Sequence, residues 1–240
     1  MSDYENVAYR GRAIPGAEAQ AFDQGLRTYM LGVYQYLMLG IALTGAMAWA
    51  LSTQPALMQA IWGTPLKWLV VLAPLPVALY AQFRIERLSP ATAQGLYWLY
   101  AGLVGLSMSL LFAAYTGSSI AKVFFITAAA FGALSLYGYT TQRNLSAFGS
   151  FLFIGMIGIL IAMVVNIFLQ SPVMQFAISI IGVLVFAGLT AFDTQRIKQM
   201  YYEAADETTA ARYSILGALW LYISFVAMFQ FLMSLLGDRE

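Results

Sequence analysis

The chain has 240 residues, 61% of them apolar and 10% charged, with a net charge of +1 and a mean hydropathy of +0.73. That balance excludes an ordinary soluble domain, and no basic patch for nucleic acid is visible. The lack of both cysteine and histidine removes disulfides, thiolate nucleophiles, imidazole bases and the commonest transition-metal ligands together.

In chain order, residues 1–28 read as a polar cytoplasmic tail, flexible by its Gly and Pro content. They hold no apolar core before a small-residue cleavage site, so no secretory signal is expected. Residues 29–240 read as one transmembrane domain, an all-α integral membrane bundle. Uncharged runs cover 28–66, 88–121, 123–142, 144–192 and 213–237. A single crossing needs about 20 apolar residues, so the run 144–192 holds two, with a turn near Gln170-Ser171-Pro172. Seven spans are expected, at 29–51, 66–84, 95–116, 119–141, 145–169, 172–195 and 213–236. The second contains Pro74 and Pro76, which remove backbone donors and predict a kink or break.

Basic residues set the orientation. With the N-terminus in the cytoplasm, the inside segments hold Arg10, Arg12, Arg27, Arg84, Arg87, Arg143, Arg196, Lys198 and Arg212. The outside segments hold Lys67, Lys122 and Arg239. The excess favours an N-terminus inside and a C-terminus outside. Small residues recur every four positions at Ala42, Ala46 and Ala50, at Ala101, Gly105, Ser109 and Ala113, at Ala128 and Gly132, and at Gly158 and Ala162. Such stripes let helix backbones approach closely in lipid, and ordinary tight packing is the expectation. Asn166, Gln170, Gln35, Gln82 and Gln230 are read as interhelical hydrogen-bond partners.

The thin inventory excludes several membrane chemistries. A serine intramembrane protease needs a base for its nucleophile, and there is no histidine. An aspartyl protease needs two membrane carboxylates sharing a proton, and only Asp193 is available. The last span has no lysine for a retinal Schiff base, no Arg ladder forms a voltage sensor, and no soluble segment is large enough for a nucleotide-driven motor. The chain is therefore expected not to be an enzyme. A conduit, a secondary transporter and a regulatory scaffold remain.

Asp193 stands in the boundary AGLTAFDTQRIKQMYYE, where a long apolar segment meets a basic one. An ionisable group at a membrane edge marks a functional site by default. Apolar surroundings disfavour a carboxylate's charged form, which makes it a candidate proton-sensitive gate. The alternative is a surface carboxylate paired with Arg196 one turn later. Helical patterning continues through 193–204, so Asp193 is expected inside a helix that runs out of the membrane, with Thr190 one turn back and able to hydrogen-bond it.

Two stretches carry a family resemblance. Residues 105–158, GLSMSLLFAAYTGSSIAKVFFITAAAFGALSLYGYTTQRNLSAFGSFLFIGMIG, with the turn Tyr137 to Thr140, and residues 185–197, VFAGLTAFDTQRI, resemble the Bax inhibitor family, also called the transmembrane Bax inhibitor motif family. The resemblance covers essentially the whole chain after the tail. It implies a seven-helix bundle with the last helix central, in a bacterial inner membrane. In some members it implies a pH-sensitive calcium leak, in which aspartates on the sixth and seventh helices share a proton. Asp193 matches the first by motif. Leu221-Tyr222-Ile223-Ser224-Phe225 puts Ser224 where the second stands, so the sensor is altered, the like-charge coupling is lost and any calcium held at Asp193 is weak. An arginine latch inside the second helix is also implied, whereas this chain has Arg84 only at that span's inner end. No other cofactor is expected. Another branch of the family implies the alternative, a non-conducting regulator that binds a membrane-anchored, ATP-dependent protease.

Overall fold

The computed structural model describes the backbone of residues 16–238 and side chains from residue 24 onward. Nine α-helices and one 3-10 turn make up the described residues, with no strand among them. The first helix, α1 (Gly16–Ser52), starts earlier than the expected span. Its opening turns, AEAQAF, are rich in Ala, Glu and Gln, which favour helix, so the helix takes in the end of the stretch read as a polar tail. The rest of that tail, and its expected flexibility, lie outside the described residues.

A short helix, α2 (Pro55–Trp62), follows and buries none of its residues. The apolar run 28–66 gave no sign of it. The second crossing is broken as Pro74 and Pro76 require: α3 (Leu66–Leu72) ends at Ala73 and α4 (Pro74–Arg84) begins there. Proline has no N–H for the helical ladder and its ring crowds the carbonyl a turn back. A 3-10 turn (Ile85–Arg87) leads to α5 (Pro90–Ala114), α6 (Gly117–Thr140), α7 (Ser146–Leu169), α8 (Pro172–Glu203) and α9 (Glu207–Leu236).

Local chemistry accounts for the boundaries. Ser89, Thr116, Ser171 and Asp206 each accept a hydrogen bond from an N–H of the first turn they precede, satisfying donors that a helix start leaves open. The α7–α8 hairpin turns where the sequence placed it. Gln170 takes a left-handed conformation at φ 50°, Ser171 caps, and Pro172 opens α8.

By length and apolar composition seven segments can cross a membrane, one for each expected span: α1 from Gln24, α3 with α4 and the 3-10 turn, α5, α6, α7, α8 and α9. The most enclosed is α9: 72% of its most apolar window is buried, against at most 39% for any other span. It packs on α1, α4, α5, α6 and α8. Its Tyr222 is fully buried, edge-on to Tyr97 and Tyr100. The Thr44 hydroxyl donates to the Ala101 carbonyl at 3.0 Å and therefore accepts from the Tyr222 hydroxyl at 2.5 Å. One bond set thus ties α1, α5 and α9.

The small-residue stripes divide into two kinds. Gly105 of α5 is in tight contact with α1: a Cβ there would lie 2.7 Å from Met47 Cβ and 2.9 Å from the Thr44 carbonyl oxygen. Ala42 and Ala46 on α1 and Gly132 on α6 are exposed, and Ala128 is partly buried. They line the two sides of an open crevice between α1 and α6. Gly158 likewise has open space beside it. Spacing alone signals a close approach only where another helix actually arrives. The amides divide. Asn166 makes the expected interhelical bond, donating from α7 to Gln175 of α8, and also accepts from the Ser171 N–H of the turn, while Gln35, Gln82 and Gln230 are exposed.

Candidate functional site at the contact of the last two helices

The described stretch of α8 from Leu189 to Ile197 is buried except at Phe192 and Arg196. Asp193, expected inside a helix that continues past the membrane, lies well within α8, which runs to Glu203. It is 9% exposed, and Ser224 of α9 is 2% exposed. Ser224 Oγ donates to Asp193 Oδ2 at 3.3 Å. That is longer than the usual O–H···O range, so the carboxylate is held loosely. The structure thus brings together the two residues on which the sequence argument rested most.

The supporting residues go elsewhere. Thr190 donates to the Phe186 carbonyl at 2.8 Å rather than to Asp193. The carbonyl a turn back is the nearest acceptor for a helical threonine hydroxyl. Arg196 does not pair with Asp193 either. It is exposed and its guanidinium lies 4.1 Å from the centre of the Trp220 ring, a stacked cation–π contact. Arg84 is exposed at the end of α4 and makes no hydrogen bond or ion pair with Asp193. Among the described residues, Ser224 gives the one hydrogen bond to the carboxylate.

Sequence reasoning missed the two residues after Asp193. Thr194 is fully buried. Its hydroxyl donates to the Thr190 carbonyl at 2.8 Å and so accepts from Ser135 of α6 at 3.0 Å; Ser135 in turn accepts from Tyr34 of α1 at 2.5 Å. This directional chain crosses α1, α6 and α8 beside the carboxylate. Gln195 pins the α6–α7 loop: its Nε2 donates to the Arg143 carbonyl at 2.8 Å and its Oε1 accepts from the Leu145 N–H at 2.9 Å. The motif Asp193-Thr194-Gln195 was the available signal. Its partners lie on other helices and in the α6–α7 loop, where the sequence shows no link to them. Close packing supports the same region, since Gly138 of α6 lies against the Ala191 backbone of α8, 2.9 Å from a built Cβ to Ala191 Cα.

The donor set does not suit a resident divalent cation. Among the described residues no three acidic, histidine or cysteine side chains converge, whereas calcium takes about six to eight oxygens, several from carboxylates. Asp193 and Ser224 alone fall far short.

These features define a polytopic α-helical membrane protein with a single carboxylate buried where its last two helices meet. The profile of the family described as "Inhibitor of apoptosis-promoting Bax1" matches residues 26–240, and the chain belongs to this Bax inhibitor family. It is similar to an uncharacterized protein of Caulobacter vibrioides, 46% identical over 251 residues and the full length of both chains. An uncharacterized Rickettsia prowazekii protein is 46% identical over 92% of this chain and 94% of its own. The inner membrane protein YbhL of Escherichia coli is 41% identical over 90% of this chain and 94% of its own. With its seven apolar spans, the chain is a multi-pass inner membrane protein.

Proposed function

We propose that this protein is a non-enzymatic, proton-responsive cation leak that serves ion homeostasis, with its N-terminus in the cytoplasm and its C-terminus outside. The observation that carries the reading is the buried Asp193 at the α8–α9 contact, faced by the hydroxyl of Ser224 and, among the described residues, by no second carboxylate. Ionised, Asp193 is an acceptor of the Ser224 hydrogen bond. Protonated, it becomes a donor itself and leaves no buried charge. Either change alters the seam between the most enclosed helix and the helix it packs on most extensively.

The other charged and titratable groups near this seam are few. On α8 they are Arg196, stacked on Trp220, and Lys198. From α1 come the phenols of Tyr34 and Tyr29, and α7 has no charged residue. Where two carboxylates share a site their protons leave in coupled steps. A single Asp193 removes that coupling, so the response is that of one proton. A weak donor set supports calcium as cargo passing through, since conduction needs sites that release the ion.

Calcium entry into liposomes, measured against pH for wild type and Asp193→Asn, tests the proposal. A pH-dependent flux that becomes pH-independent in the variant supports it. Folded protein giving no flux above empty liposomes at any pH overturns it. The alternative is then a regulator that grips a membrane-anchored, ATP-dependent protease, in which case deleting residues 2–20 abolishes pull-down of that partner.

A further inference from the structure

A cavity of about 1080 Å³ opens between α1 and α6, with Phe225 of α9 among its lining residues. It is at the upper end of ligand-pocket volumes, yet its walls are made by subtraction. Ala42, Gly45 and Ala46 on α1 face Ala128 and Gly132 on α6, and a Cβ built on Gly45 or Gly132 meets nothing within 4 Å. From Arg27 to Ala46 the α1 wall runs roughly 28 Å at 1.5 Å per residue, close to the about 30 Å thickness of a bilayer's hydrocarbon core. Rim residues Leu31, Met38 and Leu136 are half exposed or more, so the crevice opens sideways to hydrocarbon.

Its polarity is confined to one end. Tyr34, Ser135 and Tyr139 lie toward the end that carries the N-terminus of α1, and Arg27 lines the mouth. Arg27 is exposed and has no hydrogen bond or ion pair among the described residues. A second cation touches the lining residue Tyr139 from α8: Lys198 Nζ is 4.9 Å from the centre of the Tyr139 ring and donates to the Tyr139 carbonyl at 3.2 Å. A long apolar body with a cationic mouth is the complement of one membrane molecule. We propose that this crevice binds an anionic phospholipid, its acyl chain lying between α1 and α6 and its phosphate at Arg27. A packed partner helix would bury the small-residue walls but leave Arg27 without an anion. The inference stands apart from ion flux.

Native mass spectrometry of the full-length protein tests it, with dioleoylphosphatidylglycerol and dioleoylphosphatidylcholine offered at equal concentration. The chains are identical and only the headgroup differs. Wild type is expected to carry the phosphatidylglycerol adduct in about tenfold excess, because the choline ammonium offsets its own phosphate charge and is repelled by Arg27, whereas the glycerol headgroup leaves the phosphate's net charge to the guanidinium. Arg27→Gln should equalise the two lipids, and Gly132→Leu should lose both while keeping the thermal midpoint, since its side chain enters open space. Gly45→Leu fills the opposite wall and repeats that test if Gly132→Leu proves unstable. Equal binding of the two lipids by wild type, a preference that survives Arg27→Gln, or undiminished adducts in a stable filled variant each overturn the proposal. So does a dimer that forms only while the crevice is open and excludes lipid.

Discussion

Asp193, Thr194 and Gln195 are consecutive, yet each enters a different contact: α9, the hydroxyl chain to α1, and the α6–α7 loop. They differ accordingly in what their loss removes. Gln195→Leu deletes both bonds that hold residues 143–145 and should cost about 2 kcal/mol, near 1 kcal/mol per buried hydrogen bond. Thermal unfolding in detergent would show the loss, and faster amide exchange at Leu145 would locate it. Ser224→Ala removes one long hydrogen bond from Asp193 and should leave stability within about 1 kcal/mol while changing how flux depends on pH. Ser224→Asp restores a second carboxylate beside the first, so its flux should titrate over a different and wider pH range than wild type. Matching midpoints in a liposome titration would refute the single-carboxylate argument. Asp193 was legible in the sequence because an apolar segment ends on it, and Ser224 because it interrupts a pattern. Thr190 and Arg196 make their nearest contacts elsewhere for a physical reason: helical spacing shows which residues share a face, and a backbone carbonyl or an aromatic ring on a neighbour then competes for the same group.

Helix ends and helix seams were legible to different degrees. Ser171-Pro172 and Pro74 mark boundaries through their own backbone chemistry, and both boundaries fall where the sequence put them. The cap at Asp206 adds a pH dependence at the start of α9. Its carboxylate is held below the ordinary range, first by the hydrogen bond from the Thr209 N–H and then by the Thr209 hydroxyl. A carboxylate with a depressed folded-state pKa stabilises fully above its unfolded value, and that contribution is lost as pH falls through the folded value. Protection factors at Thr208 and Thr209, corrected for the intrinsic pH dependence of exchange, should therefore fall in acid for wild type and remain level for Asp206→Asn, which caps without titrating. At the α6–α8 seam, Gly138→Ala forces a methyl against the Ala191 backbone and should cost about 1–3 kcal/mol, read as a lower thermal midpoint. The α1–α6 pair is the counterexample. Its alanines and glycine have the same spacing as a tight interface, but in the fold they bound open space. Spacing says that a helix can come close, while the other contacts of the bundle decide whether one does.

At the scale of the whole molecule, seven crossings were readable from apolar length because the bilayer imposes that length on each. Short α2 was not, since it is too brief for any such constraint and buries nothing. The proposed orientation puts the loops at Gln142 and Gln170 on opposite faces, and the lack of cysteine makes that sidedness directly measurable. Single cysteines placed at Gln142 and Gln170 should react with an impermeant maleimide from the cytoplasmic and outer faces respectively. The opposite pattern would invert the proposed orientation. The enclosure of α9 also bears on how the protein is made. This helix follows the other spans in the chain, yet α1, α4, α5, α6 and α8 all pack against it. Until it inserts, those earlier spans lack the helix they share. A chain cut short before Glu207 is thus a set of inserted helices without their shared partner, and a ready substrate for membrane quality control.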